Sequence, residues 1–213
     1  MIELECVSSA DLARDQCWWS IYSKSFPAQE REPAEVIIRG IDLRLALASR
    51  VRRDGRTVGI ASAHFLTQPE VLFLVYLAID PDERGRGLGA KLFEHAWNSA
   101  EEHRRQRGGR LRGIVWEVDP PGAEAAGSDR RIRFFQRMGG ALLPRRYVQP
   151  PVNGVTVPML LMFRPAASMP MPDDSGIGTI IKAMYSEKYG ALNGIPRGIL
   201  RRLLSLSTAD LRG

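Results

Sequence analysis

Residues 79–90 read Ile79-Asp80-Pro81-Asp82-Glu83-Arg84-Gly85-Arg86-Gly87-Leu88-Gly89-Ala90, and they follow an apolar run from Val71 to Ile79. A strand ends in a loop of alternating glycine and arginine. The loop opens an amphipathic helix, in which Leu88, Leu92, Ala96 and Ala100 share a face with Phe93 and Trp97 beside it. The first turn of a helix carries backbone N–H groups with no partner inside the helix, and its dipole favours negative charge. Glycines let an anion approach those groups closely. Arg84, Arg86 and Lys91 add neutralising charge. The pattern predicts a site for a phosphate or pyrophosphate. A glycine-rich turn ahead of a core helix is the plainer reading, but it leaves the interleaved arginines unexplained.

Spacing narrows the ligand. A P-loop needs Gly-Lys followed by Ser or Thr, and the chain has neither pair. A dinucleotide fingerprint needs G-x-G-x-x-G, whereas Gly85, Gly87 and Gly89 run as G-x-G-x-G. The run fits instead [Q/R]-x-x-G-x-[G/A], as Arg84-x-x-Gly87-x-Gly89. On these residues, from Tyr76 to Trp97, the sequence resembles the GNAT superfamily of acyl-CoA-dependent N-acetyltransferases. The resemblance implies a mixed, twisted α/β sheet flanked by helices. It also implies acetyl-CoA as co-substrate, with no metal, and an amine as acceptor. Arg84, Gly85, Arg86, Gly87, Leu88, Gly89 and Ala90 would hold the diphosphate. Backbone groups of Leu77, Ala78 and Ile79 would line the pantetheine arm, and an N–H of that strand would serve the oxyanion.

Acetyl transfer to an amine also needs a base for the ammonium proton and an acid for the thiolate. Here the chain departs from the pattern. The glutamate that many relatives carry on the central strand falls on Phe73, and their tyrosine acid falls on Phe135. Four substitutes present themselves, each with a plainer reading. Tyr76 lies beside Leu77 and also reads as a cross-strand aromatic. Glu117, in Ile114-Val115-Trp116-Glu117-Val118, lies near a strand end, where ligands gather in α/β sheets, and a buried carboxylate needs partners. Tyr147 could reach the site from the last strands or merely end one. Glu30, in the loop Phe26-Pro27-Ala28-Gln29-Glu30-Arg31-Glu32-Pro33, could hold a cationic amine or pair with Arg31. Phe-Pro-x-x-Glu-Arg, together with Tyr147-Val148-Gln149-Pro150, resembles a version found in a subset of bacterial members. The expected activity is acyl transfer by direct attack in a ternary complex. The alternative is a non-catalytic acyl-CoA sensor, which the two phenylalanines favour.

The 213 residues, 44% hydrophobic and 25% charged, suit a water-soluble fold with a sizeable core. No apolar stretch approaches membrane-helix length, and the acidic start Met1-Ile2-Glu3-Leu4-Glu5 lacks a signal-peptide pattern. Cys6 and Cys17 have no Cys or His at ligand spacing and read as buried thiols. The expectation is a cytoplasmic protein without metal or membrane association. A net charge of +6 raises nucleic acid as a partner. The basic residues are spread along the chain without a recognition motif, so no nucleic acid is expected.

Periodicity predicts strands at Ile2–Val7, 43–53, 57–66, Val71–Ile79, 111–118, 141–146 and 155–163. A hairpin is expected at Asp54-Gly55. Helices are predicted from Ser8 or Ser9 to about Phe26, at about 34–39, from the anion loop to about Arg107, and at 129–138. A loop joins Asp119 to Ser128. Residues 1–164 form the predicted acetyltransferase domain. Residues 165–176, rich in Pro, Met and Ser, form a linker. Residues 177–213 form a C-terminal helical extension over 177–189 and 196–206. Its stripe of Ile199, Leu200, Leu203, Leu204 and Leu206 is expected to pack on its own domain or on a second copy of the chain as a homodimer.

Overall fold

The computed structural model describes residues 1–122 and 127–207. The middle of the predicted Asp119–Ser128 loop, 123–126, and the end of the predicted extension, 208–213, lie outside the described residues. Among the described residues the fold is mixed α/β, with eight strands and flanking helices. It divides into two compact units, Met1–Phe65 with Leu74–Leu111 and Leu66–Phe73 with Arg112–Gly213.

The first unit contains β1 (Ile2–Val7), α1 (Ser9–Arg14), α2 (Gln16–Ser25), a 3-10 turn (Ala28–Glu30) and α3 (Ala34–Asp42). After these come β2 (Ala46–Arg53), β3 (Arg56–Leu66), β4 (Val71–Ile79), a second 3-10 turn (Pro81–Glu83) and α4 (Leu88–Arg105). Leu66 and Val71–Phe73, at the ends of β3 and β4, are counted with the second unit. The strands neighbour one another in the order β1-β2-β3-β4. β1 and β3 both run antiparallel to β2, with Leu4 opposite Val51 and Ala48 opposite Ser62. Asp54 and Gly55 turn the β2–β3 hairpin with φ of 49° and 82°. Two positive φ values in a two-residue loop match the right-handed twist of the flanking strands. One core cluster gathers Val7, Leu12, Trp18, Ile21, Tyr22, Ile37, Ala48, Ile60, Tyr76 and Ala78. On α4 the residues Leu88, Leu92, Phe93, Ala96, Trp97 and Ala100 are buried, as its periodicity predicts.

The predicted single helix to Phe26 is two helices. Ser8 caps α1, its Oγ accepting from the Asp11 N–H at 3.1 Å. Asp15 then interrupts the chain at φ −79° and ψ 86° and caps α2 by accepting from the Trp18 N–H at 2.9 Å. Its other oxygen accepts from Arg50 Nη1 and Thr57 Oγ1, both at 2.7 Å. A capping aspartate with strand partners competes successfully with helix continuation. Cys6, expected to be buried, is exposed.

The second unit contains β5 (Gly113–Val118), α5 (Ser128–Arg137), β6 (Ala141–Leu142), β7 (Tyr147–Gln149) and β8 (Val157–Pro165). It ends with α6 (Asp174–Ala183), a π-helical segment (Met184–Leu192) and α7 (Arg197–Ser207). β8 is antiparallel to β5 and to both β6 and β7. The predicted strand 141–146 is thus only two residues long, and the following Pro144 cannot donate to a ladder. Pairing resumes at Tyr147. α6 begins at Asp174, inside the predicted linker, with Asp173 as cap accepting from the Gly176 N–H at 2.8 Å. From the predicted stripe on α7, Leu200 and Leu203 are buried, and α7 packs on β7, α6 and the π-helical segment. Among the described residues, no helix is long and apolar enough to cross a membrane.

Burial works to raise the Asp15 carboxyl, but the Trp18 amide, the Thr57 hydroxyl and the Arg50 guanidinium outweigh it and hold the group below its ordinary value. A carboxyl lowered by folding contributes stability above its unfolded value of ~3.9. That contribution is lost as pH falls through the folded value. Replacing Asp15 with Asn therefore lowers stability at neutral pH by about 1–3 kcal/mol. The variant also loses less stability than the parent on acidification. Urea denaturation across a pH series checks both.

Candidate functional site

In the first unit, the chain leaves β4 at Ile79 and enters the arginine-glycine loop. Asp80 caps the 3-10 turn, accepting from the Asp82 N–H at 3.2 Å, and its own N–H donates to the Val58 carbonyl at 2.9 Å. Glu83 receives Arg53 Nη1 at 2.6 Å and pairs with Arg86 Nε at 3.3 Å. Arg84 Nε donates to the Ile79 carbonyl at 3.3 Å. Arg84, Gly85, Arg86 and Gly87 are all exposed.

Gly87 is the N-cap of α4 at φ 74°, and Gly85 lies at φ 78°. A Cβ at either position would meet nothing within 4 Å. The left-handed backbone, rather than crowding, is what asks for glycine there. The result is open space in front of the helix start. Among the described residues no side chain caps α4, and its first turn holds no acidic residue. The amides of Leu88, Gly89 and Ala90 therefore begin an 18-residue helix with no carboxylate in competition. This arrangement can bind an anion through backbone donors, with arginine charge around it. Leu77 and Ile79 are half-buried and Ala78 is buried, alternating as strand residues do.

Tyr76, on the same strand, is buried. Its hydroxyl donates to the Glu30 carbonyl at 2.8 Å and accepts from the Glu32 N–H at 3.0 Å. Its ring meets Tyr22 and Phe26 edge-on, each at 4.8 Å. Burial pushes the phenol well above its ordinary value, and the charge of Glu32 adds to this. Two sequence candidates thus meet here, but through the backbone of Glu30 rather than its carboxylate.

In the second unit, Glu117 accepts from Tyr147 Oη at 2.5 Å, Tyr189 Oη at 2.8 Å and Gln149 Nε2 at 2.9 Å. Strand register explains the first and third. Glu117 stands opposite Leu161 on β8, Tyr147 opposite Met159 and Gln149 opposite Val157. Positions 157, 159 and 161 share one face, so their partners do too. Tyr147 is almost wholly buried. Desolvation, and then the negative charge of Glu117, push its phenol far up. The hydroxyl stays protonated and acts as a donor.

Tyr189 was not among the sequence candidates. It comes from the π-helical segment, and nothing in the local pattern of a C-terminal extension pairs it with a strand carboxylate. Gln149 was legible only as part of the Tyr147–Pro150 stretch. Phe73, at the place where a glutamate was sought, packs its ring against that of Tyr189 at 6.1 Å. Among the described residues, no group of three or more His, Cys, Asp or Glu side chains is placed to hold a metal ion.

The profile of the acetyltransferase (GNAT) family matches residues 16–139, more than half of the chain. Among curated proteins nothing matches significantly. Solved structures are similar across most of the chain. A GNAT-family structure from Bacteroides thetaiotaomicron is 22% identical with a TM-score of 0.70, over 88% of this chain and 98% of its own. The ribosomal-protein-S18-alanine N-acetyltransferase from Escherichia coli is 17% identical with a TM-score of 0.57, over 80% and 100%. YncA from Salmonella typhimurium, solved with its cofactor acetyl-CoA, is 16% identical with a TM-score of 0.57, over 81% and 98%. Identities this low speak for the fold alone. The profile match carries further, and with the glycine-arginine loop at the start of α4 it places the chain in the GNAT family of acetyltransferases.

Proposed function

We propose that the chain transfers an acetyl, or another short acyl, group from its coenzyme A thioester to an amine, by direct attack in a ternary complex. The observation that carries this is the uncapped start of α4, with its two left-handed glycines and flanking arginines. It fits a diphosphate on chemical grounds: backbone donors converge there, open space lies where a Cβ would stand, and no first-turn carboxylate repels an anion. Leu77, Ala78 and Ile79 would present strand backbone to the pantetheine arm, and Arg84, Arg86 and the amides of residues 87–90 would bind the phosphates. The thioester supplies an activated carbonyl and a thiolate leaving group.

Glu117 is assigned the acceptor side. It is a carboxylate, it is partly exposed, and its orientation is held by side chains that only donate to it. A negative group of this kind attracts a protonated amine and takes its proton before attack. Tyr147 holds that carboxylate in place. Tyr76 is assigned a positioning role, because its proton is already given to the Glu30 carbonyl. Glu30 sits on the loop that Tyr76 fixes, and its carboxylate serves as a secondary cation contact.

Calorimetry with acetyl-CoA is expected to show binding to the wild-type chain. Gly87→Val, which forces a branched residue into a left-handed backbone and fills the space before α4, is expected to weaken that binding about fivefold to a hundredfold, in line with a strain of about 1–3 kcal/mol. Coenzyme A release, followed with a thiol reagent over a panel of amines, reads turnover. Glu117→Gln is expected to lower kcat/KM for the amine about a hundredfold, within the range for loss of a general base, while leaving acetyl-CoA affinity unchanged. Binding without coenzyme A release from any amine is the outcome that replaces transfer with sensing. Tyr76→Phe is expected to destabilise the first unit by about 1–3 kcal/mol through loss of two buried hydrogen bonds, without moving the pH profile of turnover.

A further inference from the structure

The C-terminal segment is built into the second unit by more than apolar contact. Glu187 accepts from the Thr67 N–H at 2.7 Å and from the Gln68 N–H at 3.4 Å, which ties the π-helical segment to the turn before β4. Lys188 Nζ donates to Asn193 Oδ1 at 3.0 Å and secures the other end of the segment. On the same segment, Tyr185 and Tyr189 reach towards β7 and Glu117. The Tyr185 hydroxyl donates to the Val148 carbonyl at 2.7 Å, on the very strand that carries Tyr147 and Gln149. The Tyr189 ring is held by Phe73 at 6.1 Å and by Tyr185 at 6.4 Å, and its hydroxyl reaches Glu117 Oε1 at 2.8 Å. Tyr189 is fully buried, so the hydroxyl has been placed in the interior for this contact.

We propose that Tyr189, delivered by the C-terminal π-helical segment, is a positioning residue for Glu117 and so makes that segment part of the acceptor machinery. The inference rests on the assignment of Glu117 made above. Register alone brings Tyr147 and Gln149 to the carboxylate, but both come from one side, on β7. A glutamate has three rotatable bonds, and donors from a single strand restrain it from one side. Tyr189 comes from a different element and donates to the same oxygen as Tyr147. Two phenols on Oε1 and an amide on Oε2 fix both the position of the carboxylate and its rotation. The π-helical turn is itself consistent with a working role, since such turns are rare and cluster at functional sites.

The test uses the full chain. Tyr189→Phe keeps the ring against Phe73 and removes only the hydroxyl. The expected result is unchanged acetyl-CoA affinity by calorimetry and a fall in kcat/KM for the amine of about tenfold to a hundredfold, the range for a hydrogen bond to a charged group. The acidic limb of the pH profile is expected to move to higher pH, because a hydrogen bond given to the charged form favours that form. Tyr185→Phe is the structural control: it removes from the same segment a buried phenol whose hydrogen bonds go to the Val148 carbonyl and Ser207, and should lower stability without moving the limb. Glu187→Gln, which loosens the anchor, gives the same shift as Tyr189→Phe in smaller measure and stands in for it should that variant not fold. A Tyr189→Phe profile that superimposes on wild type, or that matches Tyr185→Phe, overturns the proposal while Glu117→Gln remains impaired. Full turnover by Glu117→Gln overturns the carboxylate assignment itself, and the role of Tyr189 with it.

Discussion

Glu117 is a carboxylate set into a strand whose other residues from Gly113 to Val118 are all buried. Withdrawing a charged group from water is costly unless donors replace the lost hydration. That constraint organises much of the second unit. β7 returns to pair with β8 after only a short interruption, and its register puts Tyr147 and Gln149 on the face that Glu117 occupies. The chain then continues through α6 to a segment whose π-helical turn brings a third donor. Burial raises Tyr147 and holds Tyr185 at about 12, so both keep their protons and remain donors.

The first unit answers the same constraint in the opposite way at one point. Asp15 and Tyr76 each satisfy buried backbone groups with side-chain atoms, and the core closes around them. At the start of α4, by contrast, backbone donors face open space. Natural helices commonly recruit Ser, Thr, Asp or Asn as cap. Here the position belongs to a left-handed glycine, and two of the three acidic residues of the preceding loop, Asp80 and Glu83, pair with Arg56, Arg53 and Arg86. Those ion pairs are exposed enough to add little stability. They engage the two carboxylates with side chains, and the proposed function assigns the helix start to an anionic ligand.

The fold and the anion loop were legible because both are written locally. Alternation marks Ile2–Val7 and a continuous apolar run marks Val71–Ile79, and both strands have the predicted ends. Asp54-Gly55 marks the hairpin, and the glycine spacing marks the loop. What escaped was non-local. The break at Asp15 depends on Arg50 and Thr57, which are distant in sequence. The π-helical turn depends on the Thr67 and Gln68 amides for its anchor. Glu117 was legible as a carboxylate out of place in an apolar strand, and Tyr147 as a candidate near it. Their meeting, and the arrival of Tyr189, are products of strand register and of a C-terminal element whose own sequence reads only as amphipathic helix.

The phenols divide in a way that bears on how protons move. Tyr76 gives its proton to a backbone carbonyl and receives one from a backbone amide, so its hydrogen-bonding capacity is committed to holding the Glu30–Glu32 loop. Tyr147 and Tyr189 keep theirs and donate hydrogen bonds to a carboxylate. Removing a proton from Tyr147 would place a second negative charge 2.5 Å from the first, which desolvation by burial and like-charge repulsion both oppose. None of these groups is suited to shuttle protons near neutrality. A carboxylate fixed by such donors is suited to the task, since its charge is already developed, it is partly exposed, and its partners need not rearrange when it accepts. On the proposed reading the aromatic groups act as a frame, and the proton transfer is assigned to Glu117, which that frame holds.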